Sequence, residues 1–347
     1  MRQVYNIILI ICLNLLFFSL IQPVYAHECQ PRAAERTFFQ PWEKYNSYTP
    51  EDWHLFWDQL DQLGFSQIIV QWTSWDDVSF YQDTRVSQQH RPYLRALLQS
   101  AKSAGFSVWL GLHYDPDFWK QLPPHADEQL DNYLNRRIAF FNQGMEALLD
   151  VIREIDPSGE TVKGWYISDE IDDLNWQSAA KQEKLFHYLQ SISSTLFTLT
   201  PDKEILISGF VSGAMSPEKW AAFINQLLLQ THITTFLLQD GIGAEKMTVA
   251  ALIPYLKELS KVPVPAGKQL AMIVELFDIA HEQEHFTTIS ANFIRVNKQL
   301  QLARRYFDST LTVFSAPDHL FPGKSSHDLS SRWMNRYQQC IHTKPFL

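Results

Sequence analysis

Glycine, charged residues and cysteine are all scarce in this sequence, and each shortage excludes a class of protein. Twelve glycines among 347 residues are too few for a collagen-like repeat or a glycine-rich linker. Basic residues number 29 against 38 acidic ones, a formal net charge of −9, which argues against a protein that binds nucleic-acid phosphates. Because 46% of the residues are hydrophobic and only 19% are charged, the sequence predicts a folded globular chain.

Several catalytic signatures are missing too. The sequence contains no Gly-x-x-x-x-Gly-Lys phosphate loop and no Gly-x-Ser-x-Gly nucleophile elbow. A metal-dependent hydrolase barrel would usually show His-x-His on its first strand, and Gln40 and Trp42 stand at that place here. The spacing of the other candidate ligands is poor evidence for a shared cation: they are His113, Asp115, Asp318 and His319. We therefore predict neither a metal site nor a cofactor.

The first 26 residues have the pattern of a secretory signal peptide. Arg2 is followed by an apolar run over residues 7–21, and Val24 and Ala26 are small residues at the two positions that a signal peptidase reads. The run is short for a membrane span, which needs about 20 residues. We expect an exported protein, periplasmic or extracellular, with no membrane contact after cleavage and with residues 27–347 as one catalytic domain. An uncleaved N-terminal anchor is the alternative.

Export would change how the three cysteines are interpreted. Cys12 would leave with the signal peptide, and Cys29 and Cys340 would remain at opposite ends of the mature chain. In an oxidising compartment two such thiols favour a disulfide, which a closed barrel could accommodate by bringing its termini together. A pair of free thiols is the alternative.

Short apolar runs alternate eight times with longer amphipathic stretches. This pattern is typical of parallel strands covered by helices, and we predict an α/β fold with a single (β/α)8 TIM barrel. An open doubly wound sheet would usually show a glycine-rich loop after its first strand, and none is present. The predicted strands cover residues 37–41, 66–72, 107–113, 162–168, 204–210, 235–239, 269–275 and 310–315. The predicted helices cover residues 50–63, 91–104, 127–155, 176–199, 217–230, 246–260, 286–306 and 329–340.

Polar and aromatic side chains gather where the predicted strands end. In such barrels the chemistry lies at the carboxyl ends of the strands. We therefore predict that these residues surround a substrate. The predicted binding residues are Gln40, Trp42, Trp72, His113, Tyr114, Asp169, Gln239 and Asp240.

Glu170 and Glu275 are the predicted catalytic pair. Each follows an apolar strand, where a carboxylate is costly unless it lies in a cleft or has a partner. Strand alternation would point both side chains inward from opposite sides of the barrel mouth. Hydrolysis of a glycosidic bond needs one protonated carboxyl group and one ionised one. The alternative for either glutamate is a salt bridge to an arginine at the rim.

Three segments carry a resemblance to a known family: residues 37–42, 164–170 and 238–243. They resemble the bacterial family called domain of unknown function 4434, which is usually regarded as glycosidase-like barrels. Glutamates after strands four and seven also resemble the retaining (β/α)8 glycoside hydrolases. The resemblance implies that Glu170 is the acid/base and Glu275 the nucleophile. One departure is that the retaining clan usually has Asn directly before its strand-four Glu, and Asp169 stands there instead.

We therefore expect an exported glycoside hydrolase that cleaves a poly- or oligosaccharide, with retention. Trp42 and Trp72 are candidates for stacking on sugar rings. Should the Glu275 assignment fail, Asp240 could serve as the base of an inverting reaction. A non-catalytic glycan-binding barrel, associated with polysaccharide export or assembly, is the alternative function, because fold alone does not determine activity.

Overall fold

The eight predicted strands form one closed parallel barrel. The computed structural model describes residues 34–81, 89–90, 93–122, 127–281, 287–323 and 327–341. Each strand pairs with its neighbours in chain order, and the last pairs with the first. The predicted (β/α)8 fold is confirmed. The barrel strands are β1 (Arg36–Phe39), β2 (Gln67–Val70), β3 (Ser107–Gly111), β4 (Val162–Asp172), β5 (Glu204–Phe210), β6 (Thr235–Gln239), β7 (Gln269–Glu275) and β8 (Thr312–Phe314).

Two apolar layers hold the barrel together. Inside it, side chains from seven strands form a small buried core, with Trp109 and Tyr166 among the largest members. Outside it, the alternate residues of the same strands pack against the helices in a much larger core. Successive strand residues point to opposite faces, and this division places Tyr166 on β4 and Ala271 and Ile273 on β7 inside the barrel, on the face to which alternation assigns Glu170 and Glu275.

Within the described residues a long helix follows each strand, and several of the helix ends carry local signals in the sequence. Thr49 forms a capping box with Asp52 at the start of α1, and Ser216 caps α5 in front of Pro217. Gly64 has a left-handed φ of 89° just after α1, as a helix C-terminus requires. The helices are α1 (Pro50–Gln62), α2 (Tyr93–Ala104), α3 (Asp127–Ile155), α4 (Ala179–Leu199), α5 (Pro217–Gln230), α6 (Val249–Leu259), α7 (Phe293–Tyr306) and α8 (His327–Ile341).

The helix predicted over residues 286–306 is shorter than expected. Thr288–Ser290 is a strand that pairs antiparallel with Phe277–Ile279, forming a hairpin after β7. The β-branched residues Thr288 and Ile289 favour an extended chain, and Asn292 then caps the start of α7. The hairpin lies at the carboxyl end of the barrel, where it borders the candidate site.

The targeting and disulfide predictions lie outside the described residues. Residues 1–33, which contain the predicted signal peptide and Cys29, are not described, and neither is the side chain of Cys340. Within the part of the chain that the structure does describe, no helix is both long and apolar enough to cross a membrane.

Candidate active site

A cavity of about 630 Å³ opens at the carboxyl ends of the strands, within the usual size range of small-molecule sites, about 300–1,000 Å³. Side chains following β1, β4, β6, β7 and β8 form its walls, together with the hairpin after β7. Four of the polar residues predicted from sequence reach it along with Trp42. The lining residues are Gln40, Trp42, Glu170, Gln239, Ala244, Ile273, Glu275, Phe277, Thr288, Phe314, Asp318 and His319.

Glu170 faces the cavity from β4 and is held by an uncharged donor. The Gln239 side-chain amide donates a hydrogen bond to Glu170 Oε1 at 2.8 Å, and a second one to Ser208 Oγ at 3.0 Å. Burial raises the pKa of Glu170 above its ordinary value, while the Gln239 hydrogen bond and the charge of Lys246 act in the opposite direction. Glu170 therefore retains a proton more readily than a solvated glutamate does.

Glu275 faces the cavity from the end of β7 and is only 4% exposed. The backbone N–H of Ala244 donates to its Oε2 at 2.9 Å. Gly243 packs so closely that a Cβ there would lie 2.2 Å from the Phe277 carbonyl oxygen and 3.0 Å from Glu275 Oε2, so this position needs glycine. Burial, followed by the charge of Asp240, raises the pKa of Glu275 to about 8, although the amides of Ala244 and Gly243 oppose the change.

Asp240 does not line the cavity, contrary to the predicted contact with substrate. Its side chain is 0% exposed and lies behind Glu275, where it accepts hydrogen bonds from the backbone N–H groups of Ile242 at 3.2 Å and Glu275 at 3.4 Å. Gln299 on α7 also donates to it. Burial raises the pKa of Asp240 to about 6. Gly241 follows with a left-handed φ of 64°, and the carboxyl group of Asp240 lies on the helix side of the strand, against Gln299.

Asp169 also points away from the cavity and forms a buried ion pair. Arg137 on α3 donates to both Asp169 carboxylate oxygens at 2.9 Å, and the two side chains are 9% and 3% exposed. Tyr188 on α4 donates a further hydrogen bond to Asp169. The structure does not place Asp169 where the retaining clan's Asn would contact a sugar. Arg137 carried no signal in the sequence, because it lies in mid-helix, far along the chain from its partner.

His113 belongs to the same buried cluster and does not reach the cavity either. Arg137 Nη1 lies 2.6 Å from His113 Nδ1, and His113 Nε2 lies 2.9 Å from the Asp76 carbonyl oxygen. Arginine can only donate and a carbonyl can only accept, so the proton belongs on Nε2. Burial and the charge of Arg137 lower the pKa of His113 to about 4. His113 is therefore neutral at neutral pH. Its ring connects the segment after β3 to Arg137 and to the Asp76 backbone.

A row of aromatic rings extends from the cavity across the ends of β1 to β3. Trp42 is 42% exposed at one end of it and meets buried Trp72 edge-on, with 5.9 Å between ring centroids. Trp72 in turn contacts Trp75 at 4.6 Å, and Trp75 contacts Tyr114 at 4.5 Å. Trp42 thus has a ring available to a ligand, whereas Trp72, at 3% exposure, supports it. Tyr114 does not line the cavity. Burial and then the charge of Glu170 raise the pKa of Tyr114 to about 12.

The strand-eight pair Asp318 and His319, named above as candidate metal ligands, lines the cavity. Asp318 accepts a hydrogen bond from Ser315 and lies 3.5 Å from Lys44 Nζ. Among the described residues, no group of three or more His, Cys, Asp or Glu side chains is arranged to hold a metal ion. Asp318 and His319 lie shortly after β8, at the same end of the barrel as Glu275 at the end of β7. This place in the sequence was the signal for a cavity position.

Comparisons with known proteins agree with this architecture. The family model described as Domain of unknown function (DUF4434) matches residues 35–326. An uncharacterized protein of Escherichia coli (strain K12), YbcH, is 31% identical over 258 residues, which cover 74% of this chain and 80% of that protein.

Solved structures with the same fold include proteins described as sugar-cleaving enzymes. A crystal structure from Bacteroides thetaiotaomicron, described as a "putative alpha-L-fucosidase", is similar with a TM-score of 0.68 and 15% identity, over 90% of this chain and 94% of that one. The endo-1,4-beta-mannanase of Rhizomucor miehei is similar with a TM-score of 0.53 and 13% identity, over 90% and 95%. At these identities the likeness concerns the fold.

The raised pKa of Glu275 predicts a specific dependence of stability on pH. Because its folded pKa of about 8 exceeds the ordinary 4.5, the folded state binds more protons between these values, and the free energy of unfolding falls as pH rises through this range. Glu275→Gln should remove most of this fall, which is on the order of several kcal/mol at about 1.4 kcal/mol per unit of pKa difference. Chemical denaturation from about pH 5 to about pH 9 measures it. Glu51→Gln on the exposed start of α1 is the matched control and should keep the fall; an equal fall in both variants would contradict the prediction.

Proposed function

The chain belongs to the domain of unknown function 4434 family, and from this premise we propose that it is a glycoside hydrolase acting on a poly- or oligosaccharide. One observation carries the proposal: Glu170 and Glu275 line the same cavity. The two carboxyl groups project from β4 and β7, on opposite sides of the barrel mouth. A saccharide bound between them would have a carboxyl group on each side of the bond to be cleaved.

The two carboxyl groups are held by different donors. Glu170 is held by the Gln239 amide, while Oε2 of Glu275 is held by the backbone N–H of Ala244. An oxygen fixed in this way leaves Glu275 Oε1 to approach the sugar. Among the residues that the structure describes, no cationic side chain forms an ion pair with Glu170 or Glu275, and both carboxyl groups have a raised pKa, as acid–base chemistry near neutral pH needs.

We assign Glu170 as the acid/base and Glu275 as the nucleophile of a retaining reaction. In the first step Glu275 Oε1 attacks the anomeric carbon while the bond to the glycosidic oxygen breaks and that oxygen takes the Glu170 proton. In the second step Glu170 removes a proton from water, the water oxygen attacks the anomeric carbon, and the bond to Glu275 breaks. The chemistry needs no metal or cofactor.

Trp42 is the proposed sugar platform beside the catalytic pair. Its ring is exposed at the cavity and is held from behind by Trp72, so stacking a sugar on it freezes few additional rotors. Gln40 lies beside it on the same wall and offers a donor and an acceptor to sugar hydroxyls.

We also propose that the protein is exported after removal of residues 1–26. The expected product, recovered from the periplasmic or extracellular fraction, begins at His27 by intact mass and has no alkylatable thiol until it is reduced, because Cys29 and Cys340 are joined. Ala26→Arg should block cleavage, since signal peptidases read small residues at this position. An unprocessed protein in the wild-type membrane fraction would argue instead for an N-terminal anchor.

Turnover is the direct test of the hydrolase. The mature protein should release new reducing ends from at least one member of a panel of microbial and plant polysaccharides, detected together with product masses. Glu170→Gln and Glu275→Gln should each lower kcat at least about 100-fold, the usual scale of general acid–base catalysis. Glu258→Gln, on α6, is the isosteric control. Saccharide binding that persists in both cavity variants, with no products from the wild type, would instead indicate the non-catalytic glycan-binding barrel.

Azide rescue distinguishes the two roles. Its small anion can occupy the space left by a missing carboxylate and attack the anomeric carbon. With a substrate that carries an activated leaving group, Glu170→Ala plus azide should give a glycosyl azide of retained configuration, and Glu275→Ala plus azide one of inverted configuration. The configuration is read by proton NMR of the product. The opposite pattern would exchange the two roles, with Glu275 as the proton donor.

A further inference from the structure

Behind Glu275 lies a second carboxyl group that the proposed reaction does not use. Asp240 directly follows β6, has no exposed surface and accepts a long hydrogen bond from the backbone N–H of Glu275 at 3.4 Å. A side chain with no exposed surface cannot touch a saccharide in the cavity. Any effect of Asp240 on the reaction must therefore act through its neighbours.

A row of buried side chains connects Asp240 to α7. Arg295 donates to Gln299 Oε1 at 2.8 Å, and because arginine can only donate, the Gln299 amide nitrogen is turned toward Asp240. Gln299 is itself 0% exposed. The donor that reaches Asp240 is thus fixed in direction, and a donated hydrogen bond favours the ionised form of a carboxyl group.

Arg295 extends the same row to the cavity wall. It donates to the backbone carbonyl of Phe277 and lies 3.1 Å from Asp278, and Phe277 lines the cavity. The row therefore connects Asp240, behind Glu275, to the hairpin that borders the site. A substitution at Asp240 would remove its contacts to the Glu275 backbone and to Gln299.

Asp240 is one of the groups that set the proton affinity of Glu275. Burial and then the charge of Asp240 raise the pKa of Glu275, whereas the amides of Ala244 and Gly243 and the charge of Arg295 lower it. Burial raises the pKa of both carboxyl groups, and because the two interact, the pair gives up its two protons in separate steps. The titratable and charged groups facing Glu275 are Asp240 after β6, Arg295 on α7, Glu170 across the cavity on β4, and Asp318 and His319 after β8.

We propose that Asp240 is a positioning residue for Glu275: it holds the end of β7 through the Glu275 backbone and keeps a fixed negative charge behind the carboxyl group that faces the cavity. The proposal rests on the proposed function in taking Glu275 as the nucleophile. Asp240 then sets the pH range in which Glu275 is ionised and ready to attack, without binding the saccharide.

The first experiment follows Glu275 directly and needs no substrate. In protein carrying glutamate labelled with ¹³C at the side-chain carboxyl, one signal should titrate near pH 8 and be absent from Glu275→Gln, which assigns it. Asp240→Asn should lower its midpoint by about one pH unit or more, because a nearby like charge is removed. Asp318→Asn is the matched control, a carboxyl group on the cavity wall whose charge is partly offset by Lys44 at 3.5 Å, and it should move the midpoint less than Asp240→Asn does.

A second variant guards against misfolding of Asp240→Asn. Gln299→Met keeps the volume of the side chain but removes the donor to Asp240, so the shared proton moves toward Asp240 and the Glu275 midpoint should again fall, by a smaller amount. An unchanged midpoint in the folded variants, or an equal fall in Asp318→Asn, would overturn the inference.

The second experiment measures activity and separates the inference from the hydrolase proposal. If Glu275 must be ionised, kcat/KM of the wild type rises about tenfold per pH unit on the acidic side of its pH profile. Asp240→Asn should shift this side of the profile to lower pH by the same amount as the NMR midpoint. KM should change less than about twofold, because Asp240 is out of reach of the substrate. A moved NMR midpoint in a protein without turnover would support the electrostatic role of Asp240 and refute the hydrolase. Turnover with the same pH profile in Asp240→Asn as in the wild type would support the hydrolase and refute the electrostatic role of Asp240.

Discussion

Closure of the parallel barrel brings the carboxyl ends of eight strands to one rim, and every acidic side chain collected there must find a partner. A carboxylate withdrawn from water without donors is too costly to keep. The chain meets this constraint differently at each position, and the differences decide which groups can do chemistry. The pairs are Asp169 with Arg137, Glu170 with Gln239, Asp240 with Gln299, and Glu275 with the Ala244 amide.

The type of partner separates structural carboxylates from reactive ones. A buried, bidentate Arg–carboxylate pair fixes the geometry of both groups, which suits Asp169 for tying β4 to α3. An amide donor compensates burial only in part, so Glu170 and Glu275 remain readily protonated. Asp173 is a further structural case: it accepts hydrogen bonds from Ser212 and from the next three backbone N–H groups, and so holds the loop after β5. The acidic residues at the end of β4 are therefore built into the rim.

Much of the fold followed from the sequence because each strand and helix carries its own local signal. The observed bounds of β5, β6 and β7 equal the predicted ones, since each is an apolar run bounded by polar residues. Alternation also predicted the inward direction of Glu170 and Glu275. Extended strictly past the strand ends, the same alternation turns Asp169, Asp240 and Trp72 toward the helices, where the structure places them. These three positions were chosen for the chemistry of their side chains and, for Asp240, for the turn that follows it; none of the three lines the cavity.

What alternation cannot supply is the identity of the partners. Arg137 and Gln299 lie on helices 32 and 59 residues away from the carboxyl groups they serve, and nothing in their local sequence distinguishes them from ordinary helix residues. They become visible only when the helices pack against the barrel. The strands therefore carry the groups that face the cavity, while the helices carry the donors that set the charge of the groups behind them. In such an arrangement a substitution on a helix, far from any substrate, alters proton affinity at the rim without changing a single residue of the cavity wall.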